Sequence, residues 1–195
     1  MGVELAQGEE FSVQDSEGGG LSLIRMGLGW RALERGDGFL SKMFDSRRDI
    51  DLDASAVLFA GESAEDVVYF KKLTSDDGSV THSGDSLTGG AGHEDDESIT
   101  VDLRRVPERI DQIVFTVNSF TGRRFSQVRD AFCRLVDAAT GEELARYTLT
   151  GGGAWTGQVM AKVRRRGAGW QMTAIGAPTS GRTIQDLLPA IRPHL

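Results

Sequence analysis

The sequence predicts a mainly all-β protein, an antiparallel sandwich or barrel that ends in one short helix. Nine short apolar runs alternate in hydrophobicity with a period of two, turn residues separate them, and no long helical patterns lie between them. A chain of 195 residues with 39% hydrophobic content is long enough to bury one sizeable core. We therefore expect a single domain over residues 1–195.

The predicted strands are rich in β-branched residues and are bounded by Gly, Asp and Ser. They cover residues 21–30, 54–60, 67–70, 98–103, 110–120, 132–138, 144–149, 157–165 and 170–176. Residues 76–79, Asp-Asp-Gly-Ser, predict a hairpin turn, because Asp-Gly tolerates the positive φ that such a turn requires. Residues 137–141 predict a second turn of this kind.

The C-terminal segment TIQDLLPAIRPHL, residues 183–195, is the one stretch with a helical pattern. Thr183 can cap the first turn, with Asp186 three residues later, and Pro189 is expected to shorten or bend the rest of the helix. The apolar residues through which this helix is expected to dock on the sandwich are Ile184, Leu187, Leu188 and Ile191. Residues 31–48, RALERGDGFLSKMFDSRR, interrupt the strand rhythm instead, and we interpret them as an insertion or long loop rather than a docking arm.

Charge and cysteine content limit the class of protein. The formal net charge of -7 disfavours nucleic acid as a partner, since polyanion binding needs Lys and Arg, and it favours cations. The N-terminus has no signal-peptide pattern and no run approaches a membrane span, so we expect a cytoplasmic protein. Its single cysteine, Cys133, lies in the apolar alternation AFCRLV, which predicts a buried core residue and not a nucleophile.

The string GDSL at residues 84–87 raises the alternative of a serine hydrolase that uses Ser86. The preceding residues, SVTHSG, are not predicted as a buried strand, and hydrolases of this type carry the serine close to the N-terminus. An Asp-x-x-His pair is also absent at the C-terminus, where Ile191 stands three residues before His194. A four-residue string is common by chance, so the hydrolase is the less favoured hypothesis.

Acidic residues dominate the segment between Leu73 and Leu103, which contains no Lys or Arg. They are Asp76, Asp77, Asp85, Glu94, Asp95, Asp96, Glu97 and Asp102. Like charges at this density repel one another, so the segment is either a solvated loop or is held by a cation. Glycines at residues 84–92 let carbonyl oxygens turn inward beside the carboxylates, and His93 is the one nitrogen ligand of the loop at residues 84–97, which favours calcium over zinc.

A second acidic pattern, DIDLDAS, places Asp49, Asp51 and Asp53 at every other position. On a strand these carboxylates share one face while Ile50 and Leu52 face the core. An EF-hand loop is excluded, because residues 54 and 60 are alanines where that loop needs Gly and Glu. The pattern predicts half of a metal site, completed by the glycine-rich acidic loop.

Several motifs together resemble the TerD family, the tellurium-resistance and calcium-binding stress proteins of bacteria. They are GLGW (27–30), DIDLDASAVLF (49–59), VVYF (67–70), GDSLTG followed by DDE (84–89, 95–97), VNSF (117–120), residues 125–149 and GRTIQDLLPAI (181–191). The pairing of DLDAS with GDSLTG and DDE is more specific than either motif alone.

The resemblance implies an antiparallel β-sandwich with a short C-terminal helix. It also implies a cytoplasmic protein that binds two calcium ions and has protein partners in a stress-response complex. No enzymatic reaction is established for the family. The ligands that it implies are Asp49, Asp51, Asp53, Asp85, Leu87, Gly89, Asp95, Asp96 and Glu97, with Leu87 and Gly89 acting through backbone oxygens. This loop departs from the family pattern, with Ser86 in place of Asn and one additional residue before DDE, so His93 or Glu94 is expected to replace an Asp. A third hypothesis is a sandwich that binds a lipid headgroup or sugar through its calcium.

Overall fold

Two six-stranded β-sheets form the protein in a computed structural model that describes residues 2–14, 18–32, 51–86, 95–149 and 153–195. The described strands are β1 Val3–Glu4, β2 Glu10–Ser12, β3 Leu23–Ala32, β4 Asp53–Ala60, β5 Ser63–Val68, β6 Val80–His82, β7 Glu97–Asp102, β8 Gln112–Asn118, β9 Val128–Asp137, β10 Glu143–Thr148, β11 Gly157–Arg166 and β12 Gly169–Thr179. The described α-helix is α1, Ile184–Ile191.

The strand order is β1-β10-β9-β3-β7-β6 in the first sheet and β2-β12-β11-β8-β4-β5 in the second. Neighbouring strands pair antiparallel except β1 and β10, which are parallel. The predicted antiparallel sandwich with a C-terminal helix is therefore confirmed.

Three observed strands were not predicted, namely β1, β2 and β6. Each has only two or three residues, too few to show an alternating pattern. The expectation that residues 79–84 contain no buried strand was wrong for β6, whose Val80 and His82 are buried. The strand predicted at 67–70 lies earlier, at Ser63–Val68, and the apolar pattern did not include its first three residues because they are exposed. Residues 31 and 32 continue β3, and the rest of the predicted insertion lies outside the described residues.

The main core fills the space between the two sheets. Among its largest fully buried side chains are Trp30, Leu28, Phe115, Leu58 and Met172, all less than 2% exposed. Full burial of one such side chain contributes about 1.5–3 kcal/mol relative to exposure, so this layer supplies most of the drive for the sheets to stack. Cys133 is fully buried here, as predicted.

A second, smaller apolar layer lies on the outer face of the second sheet. Val57, Val114 and Val159 on that face pack under Leu187 and Ile191 of α1. Strands β4 and β8 are thus covered on both faces, which explains why they are buried almost continuously. Leu188, also predicted to dock, is half-buried against the same layer.

Helix α1 begins where the sequence predicts. The Thr183 Oγ1 accepts a hydrogen bond from the Asp186 N–H at 3.4 Å, and the Asp186 Oδ2 accepts one from the Thr183 N–H at 3.0 Å, which completes a capping box. The helix tolerates Pro189 but ends two residues later, and a 3-10 turn follows over Arg192–His194. Of the described residues, none form a helix long and apolar enough to cross a membrane.

Both predicted hairpin turns are present. Gly78 has φ 69°, and the Gly78 N–H donates to the Ser75 carbonyl oxygen at 2.9 Å. Gly141 has φ 79°, and its N–H donates to the Asp137 carbonyl oxygen at 2.8 Å. Glycine adopts this left-handed backbone region without a steric penalty.

Candidate metal site

The predicted acidic motifs meet at one end of the sandwich. Asp53, the first residue of β4, pairs with Asn118, the last residue of β8. Glu97 opens β7 beside Leu28 of β3, so both sheets contribute to this end. The end is therefore built from the starts of β4 and β7 and from the segments that follow β6 and β8.

Three carboxylates come together here, from Asp51, Asp53 and Asp85. One oxygen of each lies within 4.8 Å of an oxygen of the other two. Asp53 is buried, Asp51 half-buried and Asp85 exposed. Leu52, between the first two, is fully buried in the core, so the predicted alternation holds for Asp51 and Asp53.

The electrostatics of this group are unfavourable in the absence of a cation. Burial, followed by the nearby charges of Asp51 and Glu97, raises the pKa of Asp53 to about 7. Burial and the charges of Asp85 and Glu97 raise the pKa of Asp51 as well. The Asp51 Oδ1 is also buried without a hydrogen-bond partner among the described residues. A buried carboxylate oxygen without a donor fits a position that faces a cation.

Glu97 lies next to the three carboxylates and connects the two chain segments that carry them. Its side chain is fully buried, its Oε2 accepts a hydrogen bond from the Ala54 N–H at 2.7 Å, and its Oε1 accepts one from the Ser86 N–H at 3.1 Å. One carboxylate thus holds the start of β4, which carries Asp53, against the segment that carries Asp85. This geometry gives Glu97 a positioning role.

His82 supports the same arrangement, although the sequence motifs did not single it out. Its Nδ1 accepts a hydrogen bond from the Gly84 N–H at 3.0 Å, which leaves the proton on Nε2. The Nε2–H then donates to the Ala54 carbonyl oxygen at 3.2 Å and lies 3.4 Å from the Glu97 Oε2. Both ring nitrogens are therefore engaged, which disfavours His82 as a general base for Ser86. The only sequence signal for this role of His82 was its position in a short alternating segment that ends just before Gly84.

The loop after β8 contributes through its backbone. The Phe120 N–H donates to the Asp53 Oδ2 at 3.2 Å. This bond lowers the pKa of Asp53, although burial and the neighbouring carboxylates outweigh it. Side-chain patterns do not reveal a backbone donor, so sequence reasoning could not identify this contact.

Asp95 and Asp96 make other contacts. The Asp95 Oδ1 accepts a hydrogen bond from the Arg134 Nε at 2.7 Å, while its Oδ2 lies 3.6 Å from the Arg25 Nε. A Cβ on Gly27 would come within 2.1 Å of the Asp95 Oδ1, so the first glycine of GLGW makes room for this carboxylate. The Asp96 Oδ2 accepts a hydrogen bond from the Trp30 N–H at 2.9 Å.

The proposed ligand set is thus only partly assembled by the described residues. Asp51, Asp53 and Asp85 lie together, with Glu97 directly behind them. Asp95 and Asp96 hold the chain to β3 and β9, and their role as ligands stays a prediction. Asp49, Leu87, Gly89, His93 and Glu94 lie outside the described residues.

The fold and the site together define a class of protein, a two-sheet β-sandwich with a carboxylate cluster at one end. The particular family follows from sequence comparison, in which residues 1–190 match the TerD domain. The chain belongs to the TerD domain family, which confirms the resemblance found in its motifs.

Relatives along nearly the whole chain carry tellurium-resistance and stress-response names. The chain is 44% identical over 186 residues to tellurium resistance protein TerZ of Serratia marcescens, covering 95% of this chain and 94% of that protein. It is 36% identical over 198 residues to stress response protein SCP2 of Bacillus subtilis (strain 168), covering 96% and 98%. A crystal structure of a TerD homologue from Streptomyces coelicolor A3(2) shares the fold, with a TM-score of 0.67 at 20% identity over 87% of this chain and 96% of that chain.

Proposed function

We propose that this protein is a calcium-binding stress-response protein of the TerD type, which acts in the cytoplasm as a calcium-responsive interaction or scaffolding module and not as an enzyme. The observation that carries the proposal is the meeting of Asp51, Asp53 and Asp85, with the Asp51 Oδ1 buried and unpaired among the described residues. Family membership and the stress-response names of the relatives support the cellular role.

The chemistry of the cluster favours calcium among common cations. Its donors in the described residues are all carboxylate oxygens, which suit a hard cation and not zinc. Calcium takes six to eight oxygens in irregular geometry, while magnesium demands a nearly ideal octahedron. The resemblance implies two ions, with Asp49 and the backbone oxygens of Leu87 and Gly89 completing the set. Bound calcium would supply the positive charge that makes this cluster electrostatically favourable.

Calorimetric titration of calcium into metal-stripped protein tests the proposal. We expect saturable binding in the wild type, and at least a tenfold loss of affinity in Asp53→Asn because a buried ligand oxygen is replaced. The matched control is Glu108→Gln, which removes one charge from an exposed residue beyond the opposite end of β8 and should leave affinity unchanged. Millimolar magnesium should not displace the ion. Absence of binding in the wild type, or equal affinity for magnesium, would contradict the proposal.

The interaction role has a separate test. Purified protein is immobilised and incubated with lysate of the source organism in calcium and in chelator, and we expect partners that are retained only with calcium. Esterase assays of the wild type and Ser86→Ala test the alternative hydrolase, and an activity lost in that variant would favour it.

A further inference from the structure

An aromatic and cationic surface lies directly beside the carboxylate cluster. Phe120, whose backbone N–H binds Asp53, is 47% exposed. The ring of Phe70 lies 6.1 Å from the Phe120 ring at an interplanar angle of 68°. The Lys71 Nζ lies 5.2 Å from the Phe70 centroid and 5.6 Å from the Phe120 centroid. Two aromatic rings and an exposed ammonium group therefore form one contiguous surface.

More cations follow Phe120 in the same loop. Residues 121–124 and 126–127, with Arg123 and Arg124 among them, line an open cleft of about 490 Å³. The Arg182 Nη2 donates to the Thr121 carbonyl oxygen at 2.9 Å, which brings a further guanidinium to this loop. We call Phe70, Lys71, Phe120, Arg123 and Arg124 the aromatic–cationic patch.

The cations of the aromatic–cationic patch are not used in ion pairs within the described part of the chain. No described Asp or Glu lies within 4.0 Å of the charged groups of Lys71, Arg123 or Arg124. By contrast, the neighbouring Lys72 pairs with Asp66 and Asp76. In a chain of net charge -7, Lys71 over the two rings and Arg123 and Arg124 shortly after Phe120 in the sequence, all without ion pairs among the described residues, indicate an anionic partner.

We propose that the aromatic–cationic patch docks on the surface of an anionic phospholipid bilayer. Phe120 and Phe70 would enter the boundary between headgroups and acyl chains, and Lys71, Arg123 and Arg124 would face lipid phosphates. Bilayer binding by such a surface combines burial of apolar area with attraction to anionic lipids. The patch residues lie in loops, not along a sheet edge or helix groove of the kind that peptide partners use.

The carboxylate cluster makes this docking dependent on calcium, a step that rests on the proposed function. Asp51, Asp53 and Asp85 lie beside Phe120 and, without a cation, repel an anionic surface over a Debye length of about 8–10 Å. Each bound calcium ion offsets two of these negative charges and so reduces that repulsion. The patch and the ion would therefore contact the same membrane surface.

Co-sedimentation with vesicles tests the proposal. Full-length protein is mixed with vesicles of phosphatidylglycerol and phosphatidylcholine, or of phosphatidylcholine alone, in calcium or in chelator. We expect binding to the anionic vesicles in calcium, at least tenfold weaker binding in chelator, and loss of binding to pure phosphatidylcholine. Raising sodium chloride to about 0.5 M should weaken binding, since screening reduces the electrostatic attraction.

Matched variants assign the binding to the patch. Phe120→Ala should weaken vesicle binding about tenfold, because part of a Phe side chain no longer leaves water. Its control is Val3→Ala, which removes a similarly exposed apolar side chain, 48% against 47%, from an edge strand of the other sheet. Lys71→Gln and Arg124→Gln should each weaken binding about fivefold. Their control is Arg109→Gln, an exposed cation beyond the opposite end of β8.

Calorimetric calcium titration of the same proteins separates failure of the docking from failure of the proposed function. A wild type that binds calcium but not anionic vesicles would overturn the docking and leave the calcium site intact. Unchanged vesicle binding in Phe120→Ala and Lys71→Gln would overturn it as well.

Full competition by soluble glycerol phosphate at equal phosphate concentration would show a headgroup site in place of bilayer docking. Calcium-dependent dimers in sedimentation velocity that Phe120→Ala abolishes would assign the patch to contacts between copies of this chain.

Discussion

At the scale of single residues, acidic residues of the same loop contribute to the stability of the fold in opposite ways. Glu97 is buried and accepts two backbone hydrogen bonds, whereas Asp85 is exposed and faces other carboxylates. Loss of an acceptor that leaves a buried N–H without a hydrogen bond lowers the free energy of unfolding far more than loss of one of several exposed like charges. The two positions should therefore respond differently to the same chemical change.

We expect Glu97→Gln to lower the free energy of unfolding of the metal-free protein by about 1–3 kcal/mol. Its amide has only one oxygen, so it cannot accept hydrogen bonds from both the Ala54 and the Ser86 N–H as the two carboxylate oxygens do. Asp85→Asn should leave that free energy unchanged or raise it, because one repelling charge is lost. Urea denaturation in chelator measures both variants. Equal stability of Glu97→Gln and the wild type would contradict the positioning role.

Cys133 provides a second prediction at this scale. Burial raises the pKa of its thiol to about 12, far above that of a free cysteine. The folded state therefore keeps this proton while the unfolded state loses it above about pH 8.5, so stability falls as the pH rises above that value. We expect almost no reaction of native protein with iodoacetamide at about pH 8, and full reaction once urea has unfolded it. Rapid modification of the native thiol would show that it is accessible.

At the scale of elements, α1 turns one sheet of a sandwich into a middle layer. The outer face of β4 and β8 carries Val57 and Val114, which would face water without the helix. The capping box of Thr183 and Asp186 fixes where the helix starts, and its apolar face then covers these residues. Because β4 and β8 also position Asp53 and Phe120, the helix supports the strands behind the candidate metal site.

Leu187→Ala should therefore destabilise the protein by about 2–5 kcal/mol, the cost of a cavity at a fully buried leucine. Leu188→Ala is the control, since the same atoms are removed from a half-buried position and a smaller loss is expected. Chemical denaturation followed by circular dichroism compares them. Equal losses in the two variants would contradict the packing of α1 through Leu187.

At the scale of the whole molecule, charge is distributed unevenly over one end of the sandwich. Acidic residues from β4 and from the segment after β6 meet there, and the loop after β8 brings cations beside them. A ligand that binds only the folded state stabilises it by RT ln(1 + [L]/Kd), which is about 2.7 kcal/mol at a hundredfold excess over Kd. Calcium should therefore stabilise the entire fold.

We expect saturating calcium to raise the melting temperature by about 5–10 °C, since each kcal/mol corresponds to about 2–4 °C in a domain of this size. Asp51→Asn should abolish most of that rise and leave the metal-free protein no less stable, because a repelling charge is removed. Differential scanning calorimetry with calcium and with chelator measures both. A melting temperature that does not change with calcium would indicate a solvated acidic cluster instead.

The sequence by itself determined the fold class, the longer strands, both hairpin turns and the start of α1. These features depend on local chemistry, namely two-residue alternation, glycines at positive φ and a capping box. The motif resemblance likewise identified the TerD family, and the alternation of Asp51 and Asp53 around Leu52 predicted which carboxylates share a face.

Only the tertiary structure decided the pairing of strands and the roles of the remaining acids. Asp95, Asp96 and Glu97 are consecutive, yet they reach Arg134, the Trp30 backbone and the Ala54 backbone respectively. Which neighbour each carboxylate meets depends on the order of strands in two sheets, which local patterns do not encode. The same holds for Phe120, because its position beside Asp53 and Phe70 exists only when β4, β5 and β8 are side by side.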